Sequence, residues 1–369
     1  MFNYVCSECG KKYSPESLVF KCTCEGMLDI EDQKFNFNIK DILLNEWSIF
    51  RYLKVLPFQD SSTSWKDISM GEGLTSLVPL DNETPNVLLK MDFMMPTLSF
   101  KDRGAAVLIA KAKELGVKKV VQDSSGNAGN AIAAYSARAG ISCDIYVPEG
   151  TSKKKVEMIR SHGATVNIVS GNREDTAKAA LKAAEEKDCF YASHVYNPLF
   201  YQGTKTYVYE IFEQSGGTLP ENFIVPVGNG TLLLGCYYAF RELLNLGLIT
   251  TLPRIIAVQS AHCAPIYKAF SEKKERVREI QGTPTLAEGI AIAAPMRGTQ
   301  ILEAIRVTHG DIILAPEEGI ISARDFLAKK GFYVELTTAA TMAGFLNYDK
   351  TLRGKSVIPL CGAGLKSGK

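Results

Sequence analysis

The sequence predicts an α/β protein of two domains, with parallel sheets carrying helices on both faces. Three observations support this. Apolar strand-like runs alternate with helix-like runs along most of the chain. Two strand-like runs end in glycine-containing loops that open onto helices, Ser124-Ser125-Gly126-Asn127-Ala128-Gly129 and Gly228-Asn229-Gly230-Thr231. A chain of 369 residues is long enough to bury more than one core. Composition is that of an ordinary soluble globular protein, 46% hydrophobic and 22% charged. A net charge of +2 gives no bulk attraction to nucleic acid or to a membrane surface. No apolar run reaches bilayer length, and Met1-Phe2-Asn3-Tyr4-Val5-Cys6 lacks the basic-then-apolar order of a signal peptide. A cytoplasmic location is expected. Nine cysteines, an odd number, suit a reducing compartment better than a disulfide framework.

The N-terminus holds four of those cysteines: Cys6, Cys9, Cys22 and Cys24. Cys6-Ser7-Glu8-Cys9-Gly10 is a knuckle, and a second Cys pair completes zinc-ribbon spacing, because four thiolates can close a tetrahedral site. Cys22-Thr23-Cys24 has one intervening residue where two are usual. The alternative is a ribbon of free thiols without metal. Lys11, Lys12 and Lys21 alone do not make a nucleic-acid patch.

Phe35 to Pro57 mixes apolar and polar residues, with Trp47, Phe50 and Tyr52 as packing anchors and a short helix around Ile39–Asn45. Ser61-Ser62-Thr63-Ser64 is a loop. Val87-Leu88-Leu89-Lys90-Met91-Asp92 reads as a buried strand, and Ala105–Ala112 as a buried helix. Strand and helix signals then alternate. Val117–Asp123, Cys143–Pro148 and Thr165–Val169 read as strands; Ala131–Ala139, Thr151–His162 and Glu174–Asp188 read as helices. The pattern resumes over Asn222–Val227, Leu232–Gly247, Arg254–Gln259, Gln300–Val307, Glu317–Gly331, Thr338–Asn347 and Ser356–Leu360.

Lys101 stands just before the buried Ala-rich helix. Lysine is rarely taken out of water without a partner. A desolvated ammonium loses proton affinity, becomes nucleophilic and can form a Schiff base with a carbonyl cofactor. A solvated Lys-Asp-Arg turn is the bland alternative. The glycines of Gly228-Asn229-Gly230-Thr231 permit left-handed backbone, so successive N–H groups can point at a phosphate.

Ser99-Phe100-Lys101-Asp102-Arg103-Gly104 resembles the SFKDRG motif of pyridoxal-phosphate enzymes of fold type II, most closely the threonine synthase branch. Three further stretches match that family in order: Ser124 to Gly129, Pro226 to Thr231, and Cys361-Gly362-Ala363-Gly364-Leu365-Lys366. Gly71-Glu72-Gly73-Leu74-Thr75-Ser76-Leu77 is similar to the family's GEGxTPL turn, with Ser76 in place of Pro. Leu98 stands where the family pattern has Gly. The resemblance runs from about Gly71 to the C-terminus and implies a tryptophan synthase β-like fold. It divides the chain into a Cys-rich ribbon (1–35), a large cofactor-binding domain (36–105 and 203–369) and a small mobile domain (106–202). Some threonine synthases carry a similar N-terminal ribbon.

The resemblance implies pyridoxal 5'-phosphate as cofactor, held by Lys101, Asn127 at the ring 3-oxygen, Gly228, Asn229, Gly230 and Thr231 at the phosphate, and Cys361 at the ring nitrogen. A thiol is a weak donor and leaves the ring largely neutral, which suits elimination and replacement. A buried apolar cysteine at a strand end is the alternative for Cys361. Ser99, Ser124, Ser125 and Gly126 are expected at an amino-acid substrate. Glu335 lies in a stretch that resembles the family's EPxSAA stretch near the cofactor, and both it and Glu288 either orient the substrate amine or the ring or are plain helix or strand ends. Of the four histidines only His194 falls in a candidate site loop, and no catalytic role is assigned to it. The implied activity is threonine synthase, converting O-phosphohomoserine and water to threonine and phosphate. The alternative is β-elimination or β-replacement of the serine/threonine dehydratase, diaminopropionate ammonia-lyase or cysteate synthase type. A protein that keeps the fold without turnover is a third reading, opposed by the intact Lys101 and phosphate loop. The family's frequent dimers make a homodimer the expected assembly.

Overall fold

The computed structural model describes residues 2–31, 36–59, 61–171, 173–186 and 189–366. Its strands, in chain order, are β1 (Tyr4–Cys6), β2 (Lys12–Tyr13), β3 (Leu28–Ile30), β4 (Leu77–Pro79), β5 (Val87–Lys90), β6 (Lys119–Gln122), β7 (Ser142–Pro148), β8 (Thr165–Val169), β9 (Phe190–Tyr191), β10 (Asn222–Pro226), β11 (Arg254–Ser260), β12 (Asp311–Ala315) and β13 (Ser356–Pro359). Its helices are α1 (Lys101–Glu114), α2 (Asn127–Ala139), α3 (Lys153–Ser161), α4 (Arg173–Glu186), α5 (Pro198–Thr204), α6 (Thr206–Gln214), α7 (Thr231–Asn245), α8 (Pro265–Ser271), α9 (Gly298–Val307), α10 (Gly319–Lys329) and α11 (Leu336–Leu346). They fall into two compact units, Met1–Glu72 with Lys101–Thr204, and Gly73–Phe100 with Lys205–Lys369. Among the described residues no helix is long and apolar enough to cross a membrane.

The first unit is built on a parallel sheet of order β8-β7-β6-β9. Its centre is α1, whose residues Ala105 to Ala110 are fully buried. Small side chains let that helix approach its neighbours closely. A Cβ on Gly203 of α5 would lie 2.0 Å from the Arg103 carbonyl oxygen, so only glycine fits there. The N-terminal ribbon is a three-stranded antiparallel sheet, β2-β1-β3. It adds Phe2, Tyr4 and Leu28 to the core formed by α1 and the parallel sheet.

Residues 36–72, which the sequence groups with the larger domain, cluster here with the first unit. Ile49, Phe50, Leu56, Trp65 and Ile68 join the α1 core, with Phe50 and Trp65 stacked at 5.1 Å. Phe50 and Tyr52 are buried anchors as expected, but Trp47 is 73% exposed. The helix expected around Ile39–Asn45 is a single 3-10 turn, Ile39–Asp41. An Asn38–Asp41 capping box closes that turn, and Ile42 turns extended directly after it. The expected ribbon boundary at residue 35, and the end of the expected helix at Asp188, lie outside the described residues.

The second unit has a six-stranded sheet, β12-β11-β10-β13-β5-β4, parallel except for β4 against β5. Strands β10 and β13 are buried throughout, as strands covered on both faces must be. Lys90 at the end of β5 is fully buried. Its ammonium donates to the Glu210 carboxylate, the Thr75 carbonyl and Gln214 Oε1. Thr75 Oγ1 donates to Asp92 Oδ1 at 2.8 Å, which extends the network. A buried ammonium with three acceptors is compensated where an unpaired one is not.

Candidate active site

Each parallel sheet reverses its strand order at one place. In the first unit β7 and β8 build outward from one side of β6, and β9 returns to the other side. In the second, β11 and β12 lie to one side of β10 and β13 to the other. Connections leave such a point in opposite directions and open a crevice outside the carboxyl ends of the two strands, where open α/β sheets bind ligands. The loops there are 123–126 and 192–197 in the first unit, and 227–230 and 360–364 in the second. Three of the four sequence motifs, all but the Lys101 segment, map onto three of these loops.

In the first unit Lys101 is the first residue of α1, half-buried, with Nζ 5.7 Å from the centre of the Phe200 ring. The helix N-terminus carries partial positive charge and disfavours an ammonium beside it. Ser124, Ser125 and Gly126 join β6 to α2, and Asn127 opens the helix. Gly126 caps α2 with no side-chain hydrogen bond. The loop is tight: Ser124 Oγ accepts the Gly126 N–H at 3.3 Å, and a Cβ on Gly129 would lie 1.7 Å from the Ser124 carbonyl oxygen. Tyr191 donates to Asp123 Oδ1 at 2.9 Å, and burial pushes the Asp123 carboxyl above its ordinary range.

In the second unit the 228–231 loop is a close backbone cradle. Gly230 is the N-cap of α7 at φ +80°, and no side chain caps that helix. A Cβ at Gly228 would come within 2.9 Å of Ile292, and one at Gly230 within 2.6 Å of Ile301. An uncapped helix start lined by glycines fits a phosphate. Ser99 and Cys361 are brought side by side: Ser99 bridges Gly362, and the Phe100 N–H donates to the Cys361 carbonyl at 2.9 Å. Ser99 Oγ is buried with no hydrogen-bond partner among the described residues, a donor suited to a bound polar ligand. Glu335 is the N-cap residue of α11 and its N–H donates to the Gly362 carbonyl, whereas Glu288 is exposed on the 3-10 turn Glu288–Ile290.

Leu98, the departure from the family motif, has φ +60°. That backbone costs a non-glycine residue about 1–2 kcal/mol, and Leu98 is 40% exposed, so its side chain repays little of it. Leu98→Gly is expected to raise the stability by up to about 1 kcal/mol, read as a higher urea midpoint with unchanged slope.

Glu72, on the turn before the second unit begins, is a fully buried acid. Its Oε2 accepts the Met70 N–H at 2.8 Å and the Tyr135 hydroxyl at 3.0 Å, while buried Oε1 has no partner among the described residues. Burial pushes its carboxyl from 4.5 up to about 7. The folded state therefore holds this proton more tightly than the unfolded state. The resulting stabilisation is complete below pH 4.5 and is lost as pH rises to about 7. It amounts to about 3 kcal/mol. Gln keeps an acceptor for both donors and does not titrate. Glu72→Gln is expected to remove that part of the pH slope, and parallel urea-midpoint profiles for the two proteins would contradict it.

The four ribbon cysteines converge, all Sγ atoms lying within 4.8 Å of one another. Cys6–Cys24 is 3.6 Å, Cys9–Cys22 3.5 Å and Cys9–Cys24 3.5 Å. A tetrahedral zinc with Zn–S near 2.3 Å sets sulfur–sulfur edges of about 3.8 Å, so the set fits the ion. The short Cys22-Thr23-Cys24 spacing is accommodated by Glu25 at φ +66° and by Gly26, where a Cβ would meet Cys6 Sγ at 2.6 Å. The Tyr13 hydroxyl donates to Cys22 Sγ at 3.1 Å, a contact that would orient the thiolate toward an ion.

The sequence places His194 in a candidate site loop but assigns it no role. It lies in the loop after β9 and is 7% exposed. The signal available in the sequence was its position a few residues beyond a strand that turned out to border β6.

Residues 68–362 match the family described as "Pyridoxal-phosphate dependent enzyme". The threonine synthase of Methanocaldococcus jannaschii is 33% identical over 350 residues, covering 92% of this chain and 85% of that protein. That of Methanosarcina acetivorans is 32% identical over 354 residues, covering 93% and 86%. Among solved structures, the processed form of threonine deaminase isoform 2 from Solanum lycopersicum matches with TM-score 0.69 at 21% identity, covering 85% of this chain and 89% of that one. Maize serine racemase matches with TM-score 0.67 at 20% identity, covering 79% and 88%. The fold is the tryptophan synthase β-like one expected from the motifs.

Proposed function

We propose, from the premise that this chain belongs to the pyridoxal-phosphate-dependent enzyme family, that it converts O-phosphohomoserine and water to threonine and phosphate. The observation that carries this reading is similarity to threonine synthases over 92% of the chain, which reaches beyond residues 68–362. In the reaction, protons leave Cα and Cβ and the Cγ–O bond breaks to release phosphate. Water then supplies hydroxyl to Cβ, and Cγ ends as a methyl group.

Pyridoxal phosphate, when bound, supplies an electron sink conjugated to the substrate α-carbon. Lys101 Nζ would hold it covalently. Once released, the Lys101 amine takes and returns protons at the substrate carbons, helped by the α1 N-terminus, which disfavours the ammonium. The N–H groups of Gly228, Asn229, Gly230 and Thr231 would hold the cofactor phosphate, and the Asn127 amide the ring oxygen. Ser124, Ser125 and Gly126 at the start of α2 bind the substrate carboxylate, with Ser99 Oγ as a further donor. Cys361 offers the ring nitrogen only a weak donor, which favours elimination and replacement over chemistry needing a fully charged ring. The ribbon thiolates of Cys6, Cys9, Cys22 and Cys24 would hold a structural zinc ion.

A second reading is β-elimination or β-replacement on serine, threonine, diaminopropionate or O-phosphoserine. It is favoured by Leu286-Ala287-Glu288-Gly289-Ile290-Ala291, which resembles dehydratases more than threonine synthases. The test is a substrate panel on the cofactor-loaded protein, with released phosphate, ammonia and amino-acid products measured together. Threonine and phosphate in equal amounts from O-phosphohomoserine support the first reading. Ammonia from serine, threonine or diaminopropionate, with O-phosphohomoserine untouched, replaces it with the second.

A further inference from the structure

The β6/β9 crevice has a second wall. The first is the Ser124–Asn127 loop after β6. The other is the segment after β9, held in register with it. Val121 pairs Tyr191 in the ladder, the Ala192 N–H donates to the Val121 carbonyl at 2.8 Å, and Gln122 Nε2 donates to the Ala192 carbonyl at 2.7 Å. The residues that follow on the two strands, Asp123-Ser124 and Ser193-His194, therefore emerge side by side at the carboxyl edge of the sheet.

His194 is held firmly there. Ser193 Oγ accepts the N–H groups of Val195 and Tyr196 at 3.3 and 3.2 Å, the Asn197 N–H donates to the Ser193 carbonyl, and Tyr201 donates to the Val195 carbonyl. The imidazole meets the Phe200 ring edge-on at 6.0 Å, the same ring that lies 5.7 Å from Lys101 Nζ. Yet its buried Nδ1 has no hydrogen-bond partner among the described residues. A pre-positioned buried polar atom without a partner costs stability unless a ligand completes it.

We propose that His194 is a substrate-binding residue, its Nδ1–H donating to an oxyanion of the amino-acid substrate, carboxylate or phosphate, at the β6/β9 crevice. This rests on the reading of the chain as an enzyme acting on amino acids, and adds to it a residue that no motif contains. Burial first, then the charges of Lys101 and Arg173, keep the ring neutral. A neutral ring donates one hydrogen bond without competing with Lys101 for protons, and that suits a specificity contact better than a base.

The test uses three replacements in the cofactor-loaded enzyme. Asn places an amide nitrogen near Nδ1, Gln places one near Nε2, and Phe keeps the ring against Phe200 without any donor. His194→Phe and His194→Gln are expected to lower kcat/KM for O-phosphohomoserine about 10- to 100-fold, mostly through KM, while His194→Asn stays within about fivefold of the parent. Equal losses in all three, or none, would overturn the assignment, because the ring would then only fill space. A second readout does not need turnover. Nitrogen-15 spectra of histidine-labelled protein, with the His194 signal assigned from the Phe variant, are recorded with L-threonine, inorganic phosphate and O-phosphohomoserine. A shift with L-threonine marks the carboxylate as partner, and a shift with inorganic phosphate marks the phosphate. If O-phosphohomoserine is not turned over but L-threonine or phosphate still moves the signal, the substrate reading fails and the His194 assignment stands. If no ligand moves it, the assignment fails.

Discussion

Lys101→Ala is expected to abolish turnover, lowering kcat by about 10³-fold or more, while leaving the protein folded. The removed side chain is half-buried at the first position of α1, and the core residues behind it, Ala105 to Ala110, are untouched. The substitution therefore separates chemistry from folding. Borohydride reduction followed by peptide mapping gives the direct check. The parent protein should carry a pyridoxyl group on the peptide containing Lys101, and the variant should carry none. A modified peptide elsewhere, or turnover within tenfold of the parent, would move the covalent role to another lysine. Lys90, a fully buried lysine, is a poor substitute because Glu210, Thr75 and Gln214 already hold its ammonium.

The second large effect is expected at the ribbon. Purified without chelator, the protein should contain one zinc ion per chain, and Cys9→Ser should lose it. Cys9 is exposed, so without a metal the change from thiol to hydroxyl would shift stability by less than about 0.5 kcal/mol. With a four-thiolate ion in place it removes one ligand of a site whose binding energy is folding energy, about 10–16 kcal/mol in isolated zinc-finger peptides. The consequence should stay local at first. Strands β1 to β3 lose their staple, and Phe2, Tyr4 and Leu28 leave the α1 core. The measurements are metal content and limited proteolysis. Early cleavage within residues 2–31 in Cys9→Ser, with the remaining chain intact, is the expected result. Unchanged proteolysis and no zinc in the parent would make the ribbon a thiol-only structure.

The local geometry of the candidate site was legible wherever it was written in contiguous residues. Ser99 to Gly104 declares a lysine at a helix start, and 228–231 declares a glycine cradle at another, because both depend on local backbone geometry. The alternation of strands and helices was legible for the same reason. What local sequence does not contain is strand order. Nothing in Phe190-Tyr191 says that this short strand lies against β6 rather than β8, so the crevice that His194 borders was invisible. The docking of residues 36–72 on the first unit was equally hidden. Ile49, Phe50 and Trp65 have no helical or strand period, and their partner helix α1 lies dozens of residues away. Leu98 showed as a departure from a pattern. Only its φ of +60° gives that departure a physical cost.

The most direct test of the proposed function is to run the reaction with O-phosphohomoserine in oxygen-18 water and to weigh both products. The mechanism breaks the Cγ–O bond and adds water at Cβ. It therefore predicts threonine with one heavy oxygen in its hydroxyl group and phosphate with none. Heavy oxygen in the phosphate, with homoserine as the other product, would mean hydrolysis at phosphorus and would contradict the account.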